Sequence, residues 1–91
     1  MITYVEEKNC FVAFSSDQKE AGEITWSSAG DTMIIIDHTY VDQTFRGQGI
    51  AEELVALAAS YARKNHKKVI PLCPFAKKVF EQKTEYHDLL K

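Results

Sequence analysis

The sequence is poor in the residues that specialised chemistry usually needs. It holds two cysteines, three histidines and two prolines among 91 residues. Cys10 and Cys73 are widely separated, and His66 and His87 have no partner at metal-ligand spacing, so no metal site is expected. Two cysteines behind no secretory leader give no disulfide framework and suit a reduced, cytoplasmic setting. The opening Met1-Ile2-Thr3-Tyr4-Val5-Glu6-Glu7 has neither a basic start nor an apolar stretch. No run approaches the about 20 apolar residues of a membrane span, so no membrane partner is expected. Positive charge is also scarce. The formal net charge is −2, and phosphate backbones demand a positive field, so no nucleic acid partner is expected. The one basic cluster, Lys64, Lys67 and Lys68, follows a helical stretch, where cations suit the dipole of the helix end.

What is present is ordinary globular composition, 45% hydrophobic and 26% charged. A chain of this length cannot divide its apolar residues between two cores, so residues 1–91 are expected to form one domain and a monomer. Residues 2–6, 9–15 and 22–27 read as short strands separated by polar turns. In the third, Ile24 and Trp26 alternate with Glu23, Thr25 and Ser27, the pattern of a half-buried strand. Residues 33–41 form the longest strand, and Met33-Ile34-Ile35-Ile36 predicts burial on both faces. These four strands should pair as an antiparallel meander. A helix is predicted over residues 50–65, with Ile50, Leu54, Leu57, Ala58 and Tyr61 on its apolar stripe. Residues 68–72 read as a strand near whose end Pro71 sits, and Pro74 can open a second helix with Phe75, Ala76, Val79 and Phe80 inward.

The informative segment joins the long strand to the first helix: Arg46-Gly47-Gln48-Gly49-Ile50-Ala51. Glycines there permit positive φ and close approach of a ligand, and the first amides of the helix are unpaired donors at its positive end. Such a place binds anions, and Arg46 adds a charge-assisted partner for phosphate oxygens. Two familiar phosphate motifs fail on spacing. The dinucleotide fingerprint needs glycine where Glu52 stands, and the P-loop needs Lys-Ser/Thr where Ile50-Ala51 stand.

The segment resembles the signature of the Gcn5-related N-acetyltransferase superfamily, Gln/Arg-x-x-Gly-x-Gly/Ala, which Arg46, Gly49 and Ala51 match. Asp37-His38-Thr39, Val41, Arg46-Gly47-Gln48-Gly49-Ile50 and Pro71-Leu72-Cys73-Pro74-Phe75 are similar to a small YjdJ-type subfamily of acetyltransferase-like proteins. The resemblance implies an α+β fold, a predominantly antiparallel sheet of about five strands with two helices. It implies acetyl-CoA as cosubstrate, its pyrophosphate on the amides of Arg46, Gly47, Gln48, Gly49, Ile50 and Ala51, and its pantetheine arm along Thr39 and Val41. The acetyl group would then reach a cleft between residues 33–41 and 68–72 and pass to a primary amine acceptor, whose identity the sequence leaves open. The alternative is an acyl-CoA-binding sensor or interaction module with little turnover. The superfamily often carries Asn-x-x-Ala-x-x-x-Tyr after the last core strand, the tyrosine acting as proton donor. Here the run is Cys73-x-x-Ala76-x-x-x-Phe80, and Phe80 cannot donate.

Two residues are candidates for the chemistry. Cys73 could be a nucleophile activated by the helix that Pro74 opens, or a small buried residue packed beside the cofactor. His38 could take the proton from an ammonium near neutral pH, or be a histidine bonded within the sheet or on its outer face. Asp37 and Thr39 have opposite strand parity to His38, so a cleft should see one set and not both. Tyr86 could replace the missing donor or pack the tail onto the core.

Overall fold

The computed structural model describes residues 1–91. Five strands, β1 (Thr3–Glu7), β2 (Cys10–Phe14), β3 (Glu20–Ala29), β4 (Met33–Val41) and β5 (Lys68–Pro71), form one sheet in sequential order. The first four pair antiparallel as the expected meander, and β5 lies parallel to β4. Parallel neighbours need a long crossover, and helix α1 (Ile50–Lys64) supplies it. Helix α2 (Pro74–Gln82) follows β5, and short 3₁₀ turns occupy Gln43–Phe45 and Thr84–Leu89.

Helix α1 follows from its sequence. Ile50, Leu54, Val55, Ala58, Ala59 and Ala62 are buried, a stripe with small residues toward one end that lets the helix approach the sheet closely. Leu57 and Tyr61, expected on the same stripe, flank it half-buried and pack against the core. Glu52 and Glu53 in the first turn and Arg63 and Lys64 in the last complement the helix dipole. The helix stops at Asn65, where His66 takes φ 57° and the Lys67 amide donates back to the Ala62 carbonyl at 2.8 Å.

The sheet has two unlike faces. Partners in register share a face, so Phe11, Ile24 and Thr39 form one row and Trp26 and Ile36 another. These rows face α1: Trp26 packs between Phe11, at 5.6 Å between ring centroids, and Tyr61 of the helix, at 4.7 Å. Ile24, Ile34, Ile36, Leu54, Val69 and Phe80 are among the largest fully buried side chains there, each contributing ~1.5–3 kcal/mol through removal from water. The rows Val5, Val12, Glu23, Tyr40 and Cys10, Thr25, His38 lie on the opposite face.

That second face corrects the expectation for Met33-Ile34-Ile35-Ile36. Only Ile34 and Ile36 are buried, whereas Met33 and Ile35 stay partly exposed, because both α1 and α2 pack on the other side. A second correction comes from a bulge. Thr25 pairs with His38 but Trp26 pairs with Ile36, which leaves Asp37 as an extra residue in β4. The bulge breaks the simple alternation, so Asp37 does not share a side with Thr39. Its carboxylate instead accepts a hydrogen bond from Ser27 Oγ at 2.7 Å, on the side of Ser27 and Ile35.

The tail closes the β5 side. Tyr86 and Leu89 are buried, with the Tyr86 ring 5.1 Å from that of Phe80, so Tyr86 serves the core. Leu90 bridges Val69, and the Lys91 amide donates to the Val69 carbonyl at 3.2 Å. Arg63 Nη2 reaches Asp88 Oδ1 at 2.8 Å and the Glu85 carbonyl at 3.0 Å. Both partners of that ion pair are well exposed, so it is worth less than about 1 kcal/mol.

The unequal faces make an energetic prediction. Leu54→Ala should cost about 2–5 kcal/mol, whereas Tyr40→Ser on the open face should stay within about 0.5 kcal/mol. Urea unfolding checks this: the midpoint should fall for the first variant and hold for the second, with the slope unchanged in both.

Candidate active site

The site begins where β4 and β5 part. Pairing between them runs only from Met33 opposite Lys68 to Ile36 opposite Pro71, while β3 stays paired with β4 as far as Val41. The Ile36 carbonyl ends the ladder by accepting from both Leu72, at 3.1 Å, and Cys73, at 3.2 Å. Beyond it β5 turns away into α2, with Pro74 at the first helical position. Residues 37–41 of β4 therefore have no strand neighbour on that side.

At the end of β4 the chain makes a braced turn. Asp42 Oδ1 accepts from the Thr44 amide at 2.9 Å and from Thr44 Oγ1 at 2.6 Å. These two bonds hold the Asp42 carboxyl below the usual carboxylate range, helped by the positive charge of Arg46. Arg46 Nε in turn donates to the Val41 carbonyl at 3.3 Å, which ties the arginine to the strand end. Gly47 and Gly49 then take φ of 86° and 78°, the left-handed region that disfavours side chains.

Gly49 caps α1 without any side-chain hydrogen bond. The first amide in this region to find a protein acceptor is that of Glu53, bonded to the Gly49 carbonyl at 3.1 Å; those of Gly47, Gln48, Gly49, Ile50, Ala51 and Glu52 have none. A Cβ placed at Gly47 or Gly49 would meet nothing within 4 Å. The amides thus converge beside open space at the positive end of a helix of 15 residues. A hollow of about 260 Å³ lies there, lined by Val41, Phe45, Arg46, Gly47, Gly49, Ile50, Ala51 and Glu52. A hollow of about 350 Å³ between Thr3, Phe14, Ser15, Ser16 and Gln18 has no charged side chain and no helix end.

The sequence pointed to most of this lining. Phe45 and Glu52 were missed, Phe45 because a lone aromatic in a polar turn carries no periodic signal. The Asp42-x-Thr44 brace was missed as well, although Asp followed two residues later by a bonded amide is a recognisable turn device.

Cys73 is buried at the head of α2, beside Thr39 across the parting. Burial pushes its thiol up, but the Ala76 amide, the Thr39 hydroxyl and the amides of Phe75 and Thr39 outweigh it, and the net shift is downward. None of these contacts closes a full hydrogen bond: α2 has no side-chain cap, and Thr39 Oγ1 is buried without a partner. A buried hydroxyl left unpaired costs about 1–3 kcal/mol, a cost that a polar group entering the cleft would relieve.

His38 is not part of that cluster. It lies exposed on the open face, its ring parallel to that of Tyr40 with centroids 6.2 Å apart. The structure therefore joins Thr39 with Cys73, and Val41 with Arg46, Gly47, Gly49, Ile50 and Ala51 around one hollow that Gln48 does not line, and sets His38 on the other side of the same strand. No group of three His, Cys, Asp or Glu side chains could hold a metal ion.

The sequence from residue 10 to 89 matches the family model of the GCN5-related N-acetyl-transferases. The chain belongs to that family. Among solved structures, this acetyltransferase is similar to a GCN5-like protein from Staphylococcus aureus, with 30% identity and a TM-score of 0.80 over 98% of this chain and 87% of that one. It shares its fold with YhbS of Escherichia coli, solved in complex with CoA, at 22% identity and a TM-score of 0.63 over 69% of this chain. A streptothricin acetyltransferase-like protein from Bacillus anthracis, solved with acetyl coenzyme A, matches at 20% identity and a TM-score of 0.62 over 87% of this chain. The acetyltransferase spans only 38% and 49% of those two chains. Its sequence matches no curated protein.

The Cys73 environment is testable apart from any turnover. Its alkylation by iodoacetamide should follow a pH profile with a midpoint below that of a free thiol, because the lowered pKa yields thiolate at lower pH. In Thr39→Val the midpoint should move up, since the Thr39 hydroxyl no longer favours the thiolate while burial remains.

Proposed function

We propose that this chain binds acetyl-CoA at the head of α1 and transfers its acetyl group to a primary amine. The observation that carries the reading is the run of amides from Gly47 to Glu52 with no protein acceptor, gathered around two left-handed glycines and Arg46. These groups fit a pyrophosphate in charge, in donor number and in the open space beside the glycines. Arg46, Gly47, Gln48, Gly49, Ile50 and Ala51 would hold it, and Thr39 and Val41 would border the pantetheine arm along the unpaired side of β4. The two neighbours solved with CoA and acetyl-CoA share this fold, which supports the assignment.

When bound, acetyl-CoA supplies an acetyl group already activated as a thioester. The protein's own residues do the rest. The parted strands position the acyl end between β4 and the head of α2, and oriented backbone amides there can stabilise developing negative charge on an oxygen. We assign to His38, exposed on the opposite side of β4, the proton of an ammonium that arrives from the open face. Cys73 and Thr39 form the inner wall, where a polarised thiol and an unpaired hydroxyl meet the leaving end. We favour direct transfer over passage through Cys73, because no side-chain base contacts its sulfur. Both cysteines are unpaired, which suits a reducing cytoplasm.

Acetyl-CoA should raise the melting temperature, with amide shifts centred on residues 41–52. Arg46→Ala should weaken binding about 10- to 100-fold, the value of ~1.5–3 kcal/mol for a charged hydrogen bond. Gly49→Val should weaken it further, because the residue must hold φ 78° and its side chain would occupy the open space. Shifts confined to β1 and β2, or unchanged affinity in folded Gly49→Val, would overturn the cofactor assignment.

A further inference from the structure

The hollow at the head of α1 is bordered by one side chain of each charge. Among the eight residues that line it, Arg46 is the only cation and Glu52 the only anion. A pyrophosphate is negative, so the Arg46 guanidinium attracts it and the Glu52 carboxylate opposes it. Nothing within the chain masks that opposition. Glu52 is exposed, and the one ion pair of the protein joins Arg63 to Asp88. Arg46 directs its Nε to the Val41 carbonyl and makes no ion pair with Glu52.

A negative side chain at this point still has a structural use. Gly49 caps α1, which makes Glu52 the third residue of the helix, inside its first turn. An acid there stabilises the positive helix end, and at this position it can reach back toward the amide of the cap residue. Gly49 has no side chain to reciprocate, sits at φ 78°, and its amide has no protein acceptor. In the protein alone, the Glu52 carboxylate is thus the one negative charge bordering the hollow and its unpaired donors. Glu53 serves a different place. Burial lifts the pKa of Tyr4 and the Glu53 charge lifts it further; at Tyr86 burial, Glu85 and Glu53 act in the same direction. Glu53 does not line the hollow.

We propose that Glu52 sets the affinity of this site: it supplies the counter-charge of the helix end in the free protein and repels the pyrophosphate of the bound one. Acetyl-CoA and CoA are then both held less tightly than the amides and Arg46 alone would hold them. The inference rests on the cofactor reading above and gives a role to a residue outside it. Because substrate and product share the pyrophosphate, Glu52 weakens both alike and shortens the stay of CoA after transfer. Removing its charge therefore has two effects of opposite sign, a less stable free protein and a tighter complex.

Glu52→Gln keeps the shape and removes the charge. It should lower the melting temperature of the free protein by about 2–5 °C and tighten CoA about 3- to 10-fold in calorimetry at low salt. Inorganic pyrophosphate should gain by a similar factor, and pantetheine, which lacks the pyrophosphate, should gain nothing. Salt of about 0.5 M should shrink the gain to about twofold or less, since exposed charges are screened. Glu53→Gln, in the same turn but away from the hollow, should gain less than half as much. Should the glutamine variant be too unstable to titrate, Glu52→Ala, with the best helix former at an exposed position, should show the same gain. Wild-type protein that binds CoA while neither Glu52 variant binds it more tightly would overturn the role of Glu52 and leave the cofactor reading standing. So would an equal gain from Glu53→Gln, which would point to net charge alone, or an equal gain for pantetheine, which would point to a change in the fold. Wild-type protein that binds neither CoA nor pyrophosphate would remove the cofactor reading and the role of Glu52 with it.

Discussion

The Ile36 carbonyl is the pivot of the molecule. By accepting from both Leu72 and Cys73 it terminates the β4–β5 ladder in one step. A ladder one residue longer would pair β4 past the bulge and fill the space where Thr39 looks across to Cys73. One residue shorter, and Cys73 would no longer be anchored at the head of α2. The parting of the strands, the burial of Cys73 and the free side of β4 all depend on this shared acceptor. Pro74 secures it, because an imide at the first helical position forgoes a donor that the helix could not have used.

A second dependency runs through the β4–α1 turn. Helix ends usually satisfy their amides with a side chain, and here the cap is glycine, which has none. The turn is nevertheless held in place, because Asp42 grips Thr44 and Arg46 grips the Val41 carbonyl. Donors are thus fixed in position yet unspent. That combination is pre-organisation: little ordering remains to be done when an anion arrives, so more of the interaction shows as affinity.

Much of this was readable from residue order. The limits of β4 and the starts of α1 and α2 follow from an apolar run, a glycine turn and a proline, each a local signal. Ile24 and Trp26 declared their face by alternation. The bulge at Asp37 was not readable, because it is set by how β3 and β4 reconcile their register, and nothing in Ile36-Asp37-His38 marks it. The exposure of Met33 and Ile35 was hidden for a different reason. An apolar run records what a strand can bury, whereas actual burial depends on which faces receive a helix, and both α-helices went to one. The candidate site divided likewise: the free backbone donors of residues 47–51 were visible as a motif, while the approach of Thr39 to Cys73 needed two segments more than thirty residues apart to meet.

The parallel pairing of β5 also orders events in time. β1 to β4 are joined by short turns, so the meander can zip from contacts close in sequence. Strand β5 can pair with β4 only by closing the long loop that contains α1, a closure whose entropy must be met before its contacts return anything. The cleft is therefore among the last features to appear during folding. It should also be among the first to open in the native state, since β5 is held by four ladder pairs and the tail bridge at Val69. A ligand seated there would brace the seam that the chain closes last.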